Sequence, residues 1–308
     1  MSANKSRINR TCFGVLSNPE QEEWLIFSTV YGELSSEKDL DTFTGFFISG
    51  SPLLPNEDLK WINDLKTFIR RAFQHPAKPR RIVGVCFGHQ VIASALGGKV
   101  TSSPSKKFVL QSEKIKSKEH FRFQGHKAFR ELFESHDSLR LLESHRDFVE
   151  ILPAKALSLA SSTTCEHEMV QFTENIFGIQ AHPEFNVQDY KEVIIPGMLA
   201  RGKIDQKGQR FCEETLNLPL DSVKVLAALK KFAVGDGVKV ELALKLGAPV
   251  VAGVGVVNGI GGGVVVGVGI EVGEIERVEE WKSELKQKST RSCKSAYDLV
   301  GDNKKSEY

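Results

Sequence analysis

Hydrophobic positions along the chain follow two rhythms. WLIFSTV (24–30), GFFISG (45–50) and RIVGVC (81–86) are short apolar runs rich in Val, Ile and Phe. They are too short for buried helices and predict strands covered on both faces, as in a parallel sheet. Between them, LKWINDLKTFIRRAF (59–73) sets Leu59, Ile62, Leu65, Ile69 and Phe73 three or four residues apart, which predicts an amphipathic helix. A second helix follows Cys86 through QVIASALGG, with Gly97-Gly98 as its stop. KFVLQSEKIK, LRLLESH, ALSLASST, EMVQF and NIFGIQAH read as further strands, and helical patterns at 187–202, 208–216 and 221–233 close the region. Alternating strands and helices predict an α/β sheet with helices on both faces.

From residue 234 the pattern changes. LGAPVVAGVGVVNGIGGGVVVGVGI (246–270) carries no charge over 25 residues and nine of the chain's 26 glycines. Three readings stand side by side. The length permits a membrane helix, although Gly and β-branched Val disfavour helix and Asn258 adds a polar cost. Asn258-Gly259 between two Val/Gly runs is a hairpin signal, placing a hairpin at 250–270. The third reading is a low-complexity appendage. The charged stretch after it has the composition of a short helix. The expected organisation is a domain over 12–233 and an extension over 234–308.

Charge and cysteine usage narrow the function classes. Forty-one Lys+Arg against 39 Asp+Glu leave a net charge of +2, too little surplus for a general nucleic-acid binder. Five scattered cysteines, with no CxxC pair, offer neither a disulfide framework nor metal-ligand spacing. The basic start MSANKSRINRTCFG has no apolar core behind it, as a secretory signal would. The expectation is a reduced, cytoplasmic protein without a metal or cofactor and away from membranes.

The chemistry concentrates where a strand gives way to a helix. Gly84-Val85-Cys86-Phe87-Gly88-His89-Gln90 is the cysteine form of the G-x-S-x-G nucleophile elbow. A Cβ at either flanking position would collide with the neighbouring strand or helix, so Gly84 and Gly88 are required. The turn puts the Cys86 sulfur at a helix N-terminus, where the dipole and free N–H groups favour thiolate. It also aims the N–H of Phe87 at a developing oxyanion. A thiol nucleophile needs a base and a group to orient that base. The strand IFGIQA (176–181) is followed by His182-Pro183-Glu184, and period-two alternation puts His182 and Glu184 on one side. The order Cys, His, acid differs from the Ser, acid, His order of α/β-hydrolases.

VGVCFGHQVIASALGGKV, with HPE following 96 residues after Cys86, resembles class I glutamine amidotransferases. The likeness is greatest to the stand-alone, GMP-synthase-like members, including plant γ-glutamyl peptidases. GFFISGSP (45–52), SHRDFV (144–149) and CEHEMV (165–170) add to it, and it covers residues 12 to 233. The resemblance implies a flavodoxin-like, mostly parallel sheet and a Cys86–His182–Glu184 triad acting through a γ-glutamyl thioester. It implies an oxyanion hole from the backbone N–H groups of Ser51 and Phe87. Gly50, Gln90, Ser144, His145, Arg146 and Asp147 would border the γ-glutamyl pocket.

The chain also departs from that pattern. Arg146 stands where relatives carry Gly or Gln, and could narrow the pocket or grip a substrate carboxylate. The loop SSPSKKFVLQSEK lacks the particular acidic residue and glycine that many relatives place in this loop. Only MSANKSRINRT precedes the segment CFGVLSNPEQEEW, so the first strand is expected to be missing, and a Val-rich strand from the extension could pair in its place. The implied activity is hydrolysis of γ-glutamyl amides such as glutathione, its conjugates or γ-glutamyl peptides. The alternatives are a glutaminase-like regulatory protein with impaired chemistry, or an amidotransferase component that passes ammonia to a synthase partner.

Overall fold

The computed structural model describes residues 24–27, 29, 33, 34, 43, 45–74, 80–103, 107–118, 125–134, 137–234, 258, 259 and 263–268. The charged stretch after 270 and the residues before 24 lie outside them. In chain order the strands are β1 (Trp24–Ile26), β2 (Gly45–Ile48), β3 (Arg81–Val85), β4 (Lys99–Ser102), β5 (Val109–Ser117), β6 (Ser138–His145), β7 (Asp147–Ile151), β8 (Leu157–Ser161), β9 (Met169–Thr173), β10 (Ile176–Ile179), β11 (Asn258–Gly259) and β12 (Gly263–Val268). The helices are α1 (Lys60–Phe73), α2 (Phe87–Ala95), α3 (Lys127–Glu134), α4 (Val187–Asp189), α5 (Ile195–Ala200), α6 (Gln206–Thr215) and α7 (Ser222–Val234), with a π-helical turn, Tyr190–Ile194, between α4 and α5.

The main sheet runs β1-β12-β2-β3-β10-β9-β8-β5-β6. From β1 to β10 neighbouring strands are parallel. From β10 to β6 they are antiparallel, while β4 and β7 form a separate antiparallel ribbon. The sheet is therefore mixed. Apolar runs predict burial, but they do not distinguish a parallel neighbour from an antiparallel one.

Alternation along the strands divides the core into two layers. Phe47 points into the layer of α3 and α7, where Phe129, Phe177 and Phe232 meet, with Phe129 stacked on Phe177 at 3.6 Å. Phe46 points the other way and meets Phe68 of α1 at 5.0 Å. Helix α1 begins one residue later than expected and buries Trp61, Ile62, Leu65, Phe68, Ile69 and Ala72. Phe73, expected on the same face, is instead 40% exposed at the helix end. Helix α2 stops as expected: Gly97 takes φ 96° and the Gly98 N–H donates to the Ala93 carbonyl at 2.8 Å.

The Val/Gly segment enters this sheet. β12 pairs with β2, Val265 opposite Gly45, and with β1, Val265 opposite Trp24. The short hairpin β11–β12 pairs Asn258 with Val264 and Gly259 with Gly263. The Asn-Gly pair that signals the hairpin thus lies in its first strand rather than at its turn. Among the described residues no helix is long and apolar enough to cross a membrane.

Candidate functional site

Cys86 is the single residue between β3 and α2, with φ 52° and ψ −107°. Positive φ is uncommon in a residue with a side chain, and the surroundings must hold it there. The Cys86 N–H donates to the Ile179 carbonyl at 2.8 Å, and its carbonyl accepts from the Gln90 N–H at 3.0 Å. Close approach fixes the flanking glycines. A Cβ on Gly88 would overlap the Ile48 carbonyl oxygen and lie 2.7 Å from its carbon; one on Gly84 would lie 2.6 Å from the His89 nitrogen. The sulfur sits 3.9 Å from the Ser144 carbonyl.

His182 follows β10, and its N–H donates to the Leu142 carbonyl of β6 at 2.8 Å. Its Nδ1 is 2.7 Å from Glu184 Oε1, and the ring stacks on Phe185 with centroids 4.4 Å apart. The Cys86 sulfur interacts electrostatically with the same imidazole, and Nε2 is the nitrogen that the contact with Glu184 leaves free to meet it. Burial alone pushes the His182 pKa down. The Glu184 carboxylate and the Cys86 sulfur outweigh it and raise the pKa to about 10. The imidazole is accordingly held protonated at neutral pH, between a carboxylate and a sulfur.

The 49–52 turn lies against this pair. A Cβ on Gly50 would come 3.1 Å from His182 Cε1 and 3.8 Å from Cys86 Cβ. Ser51 Oγ accepts the Leu53 N–H at 3.2 Å. The N–H groups of Ser51 and Phe87 make no turn or cap hydrogen bond among the described residues.

The other expected pocket residues divide. Gln90 is buried, and its Nε2 donates to the Asp147 carbonyl at 2.7 Å and to Gln180 Oε1 at 3.0 Å, tying α2 to β7 and the end of β10. Arg146 lies beside the site with Nε 3.2 Å from Asp147 Oδ1, and Asp147 also accepts from Ser102 Oγ. Ser144 contributes its carbonyl to Cys86. His145 is buried, with its Nε2 3.4 Å from Glu143; burial lowers its pKa to about 4. Sequence reasoning missed Glu143, Glu168, Gln180 and Phe185. Glu143 did leave a signal, as a lone acid inside the apolar strand LRLLESH. His89, also buried, packs where a Gly178 side chain would stand, and burial drives its pKa down to about 3.

The arrangement puts a thiol beside an imidazole that is paired with a carboxylate, with the backbone N–H groups of Ser51 and Phe87 nearby. That combination suits attack on a carbonyl followed by protonation of a leaving group.

The model of the glutamine amidotransferase class-I family matches residues 26–199. Gamma-glutamyl peptidase 4 of Arabidopsis thaliana is 37% identical over 204 residues, covering 66% of this chain and 78% of the relative. One component of the glutamine-hydrolysing GMP synthase of Methanosphaera stadtmanae is 38% identical over 104 residues, 33% of this chain and 50% of that protein. Among solved structures, a glutamine amidotransferase from Thermotoga maritima superposes with a TM-score of 0.53 at 21% identity, covering 68% of this chain and 85% of that one. At that identity the likeness is one of fold.

Proposed function

We propose, for a chain that belongs to the class I glutamine amidotransferase family, that it hydrolyses γ-glutamyl amide bonds with Cys86, His182 and Glu184 as its catalytic triad. The observation that carries the reading is the 2.7 Å contact of Glu184 with a His182 whose pKa is raised to about 10 and which faces Cys86. The relative named as a gamma-glutamyl peptidase supports the bond class.

The Cys86 thiolate attacks the γ-carbonyl, and its electron pair forms the C–S bond. The N–H groups of Phe87 and Ser51 hold the tetrahedral oxyanion, each such donor contributing about 2.7–4 kcal/mol to the transition state. Collapse breaks the C–N bond, and the His182 imidazolium gives its proton to the departing amine. Neutral His182 then takes a proton from water, which attacks the thioester. Glutamate leaves and the thiolate–imidazolium pair is restored. Glu184 keeps Nδ1 protonated, so that Nε2 alone exchanges the proton. Arg146 is held by both oxygens of Asp147 and would bind the C-terminal carboxylate of a γ-glutamyl peptide by sharing its guanidinium between that carboxylate and Asp147.

The test is a panel of glutathione, a glutathione conjugate, γ-glutamyl dipeptides and glutamine, with Cys86→Ala as control. Glutamate release that disappears in Cys86→Ala is expected. No Cys86-dependent release from any of them refutes the reading. The GMP synthase component among the relatives favours a second one, an amidotransferase component passing ammonia to a partner. Glutamine as the sole substrate, cleaved only with a synthase present, would decide for it.

A further inference from the structure

Behind the Cys86 elbow lies a second set of chemistry-bearing side chains that the proposed reaction does not use. Glu143 and His145 project from the same face of β6, two residues apart, and Glu168 enters from the residue before β9. One carboxylate oxygen from each Glu and one ring nitrogen of His145 lie within 4.8 Å of one another. All three residues are buried, Glu143 and Glu168 at 0% exposure.

Their hydrogen bonding is incomplete. The two carboxylate oxygens of Glu143 and the two ring nitrogens of His145 have no hydrogen bond of normal geometry; the nearest approach between them is 3.4 Å. Glu168 accepts from Ser162 Oγ at 2.6 Å through Oε1, while its Oε2 makes no hydrogen bond of normal geometry and only approaches the Glu143 carboxyl and the Ala181 N–H. No Lys or Arg among the described residues pairs with either acid. Glu113 adds negative charge nearby, but its own oxygens are taken by Thr163, Thr164 and Gln111. Two buried carboxylates without a cation are expensive unless a proton or a metal neutralises them. A dication balances both charges and takes a neutral imidazole as third ligand.

We propose that Glu143, His145 and Glu168 form a structural site for a divalent first-row transition metal, with Zn²⁺ the best match. The donor set decides the ion. A ring nitrogen disfavours Mg²⁺ and Ca²⁺, which take oxygen ligands, whereas two carboxylates and one imidazole suit Zn²⁺. Bond lengths of about 2.0–2.2 Å require the donors to draw closer than 4.8 Å, so binding the ion requires the Glu side chains to shift towards it. Because the site is fully buried, the ion enters as the chain folds.

The position gives the ion a purpose. It would cross-link β6 to the segment leading into β9. The first supplies the Leu142 carbonyl that holds the His182 N–H and the Ser144 carbonyl beside the sulfur. The second supplies the Glu168 carbonyl that accepts the Gln180 N–H at 2.8 Å. The three ligands come from two segments 23 residues apart (168 minus 145), with no metal-binding spacing for the sequence to display.

The experiment measures zinc in the full chain, in a Cys86→Ala background so that zinc on the nucleophile does not count. Protein purified from zinc-supplemented cells, and the same protein unfolded in guanidinium with EDTA and refolded with or without Zn²⁺, is analysed by plasma mass spectrometry and thermal melting. About one Zn²⁺ per chain is expected in the purified and zinc-refolded samples, with a higher melting temperature than in the zinc-free sample. Glu143→Gln, nearly isosteric and neutral, should fold and lose the zinc; Glu131→Gln, at an exposed position of α3, should keep it. Less than about a tenth of an equivalent in the purified Cys86→Ala protein would overturn the proposal. So would full zinc retention in both Glu143→Gln and Glu168→Gln.

Discussion

Replacing Gly88 by Ala tests whether the elbow depends on contact between α2 and β2. The added Cβ would overlap the Ile48 carbonyl oxygen and stand 2.7 Å from its carbon. Ordinary carbon–carbon contact is about 3.5–4.0 Å, so α2 must retreat from β2 by about 1 Å. Both obstacles are backbone atoms of a buried strand, and no side-chain rotation relieves them. Overpacking typically costs about 1–3 kcal/mol, and a backbone conflict belongs at the upper end. For a domain of this size that corresponds to a drop of about 6–12 °C in melting temperature. The retreat also carries Cys86 away from His182, and a 1 Å misplacement can cost about 100-fold in rate. Thermal melting and kcat/KM for Cys86-dependent glutamate release measure the two effects. Gly97→Ala is the control: nothing lies within 4 Å of its Cβ, and φ 96° leaves only backbone strain. It should lose about 1 kcal/mol of stability and keep its rate. A Gly88→Ala protein with wild-type melting and wild-type kcat/KM would refute the argument.

Four further outcomes are expected. Glu184→Gln should lower kcat about 10²–10⁴-fold with the fold intact, read by steady-state kinetics beside a melting curve. The His182 pKa is raised in the fold from 6.5 to about 10, so the stability it contributes is complete below about pH 6.5 and is lost as pH rises towards 10; the melting advantage of wild type over Glu184→Gln should shrink across that window. Arg146→Ala should raise KM for glutathione about 3–10-fold while leaving that for glutamine, which has no second carboxylate, within twofold. Deleting residues 246–270 should lower the melting temperature, because β12 pairs with β1 and β2; an unchanged melt would argue that this pairing contributes nothing.

The elbow was legible because its information is local. A strand, one residue and a helix lie consecutively in the chain, and the crowding at Gly84 and Gly88 follows from that turn. His182 and Glu184 were legible for the same reason, two residues apart at a strand end. Helix α3 was not. It is eight residues long, and its buried Ala128, Phe129 and Phe133 give too few turns to establish a period. Spacing alone puts Phe73 on the apolar stripe, whereas the helix ends there and leaves its side chain exposed.

What the sequence hides most thoroughly is the meeting of distant segments. Gln90, expected beside substrate, uses its amide on the Asp147 carbonyl and Gln180, partners 57 and 90 residues away. Glu143 and His145, two residues apart, share the buried face of β6, but alternation says nothing about what meets them there. Their neighbour Glu168 arrives from the segment leading into β9, and burial holds its carboxyl well above the usual carboxylate range. A pattern that marks positions as inward cannot tell a core residue from a ligand. The distinction lies in which buried polar atoms lack partners, and that is fixed only once the strands have paired. At this site the backbone carbonyls of Leu142 and Ser144 hold the catalytic candidates on one side of β6, while the side chains of Glu143 and His145 gather on its core-facing side. One short strand therefore couples the proposed chemistry to the proposed ion, so a substitution aimed at either should be read for its effect on the other.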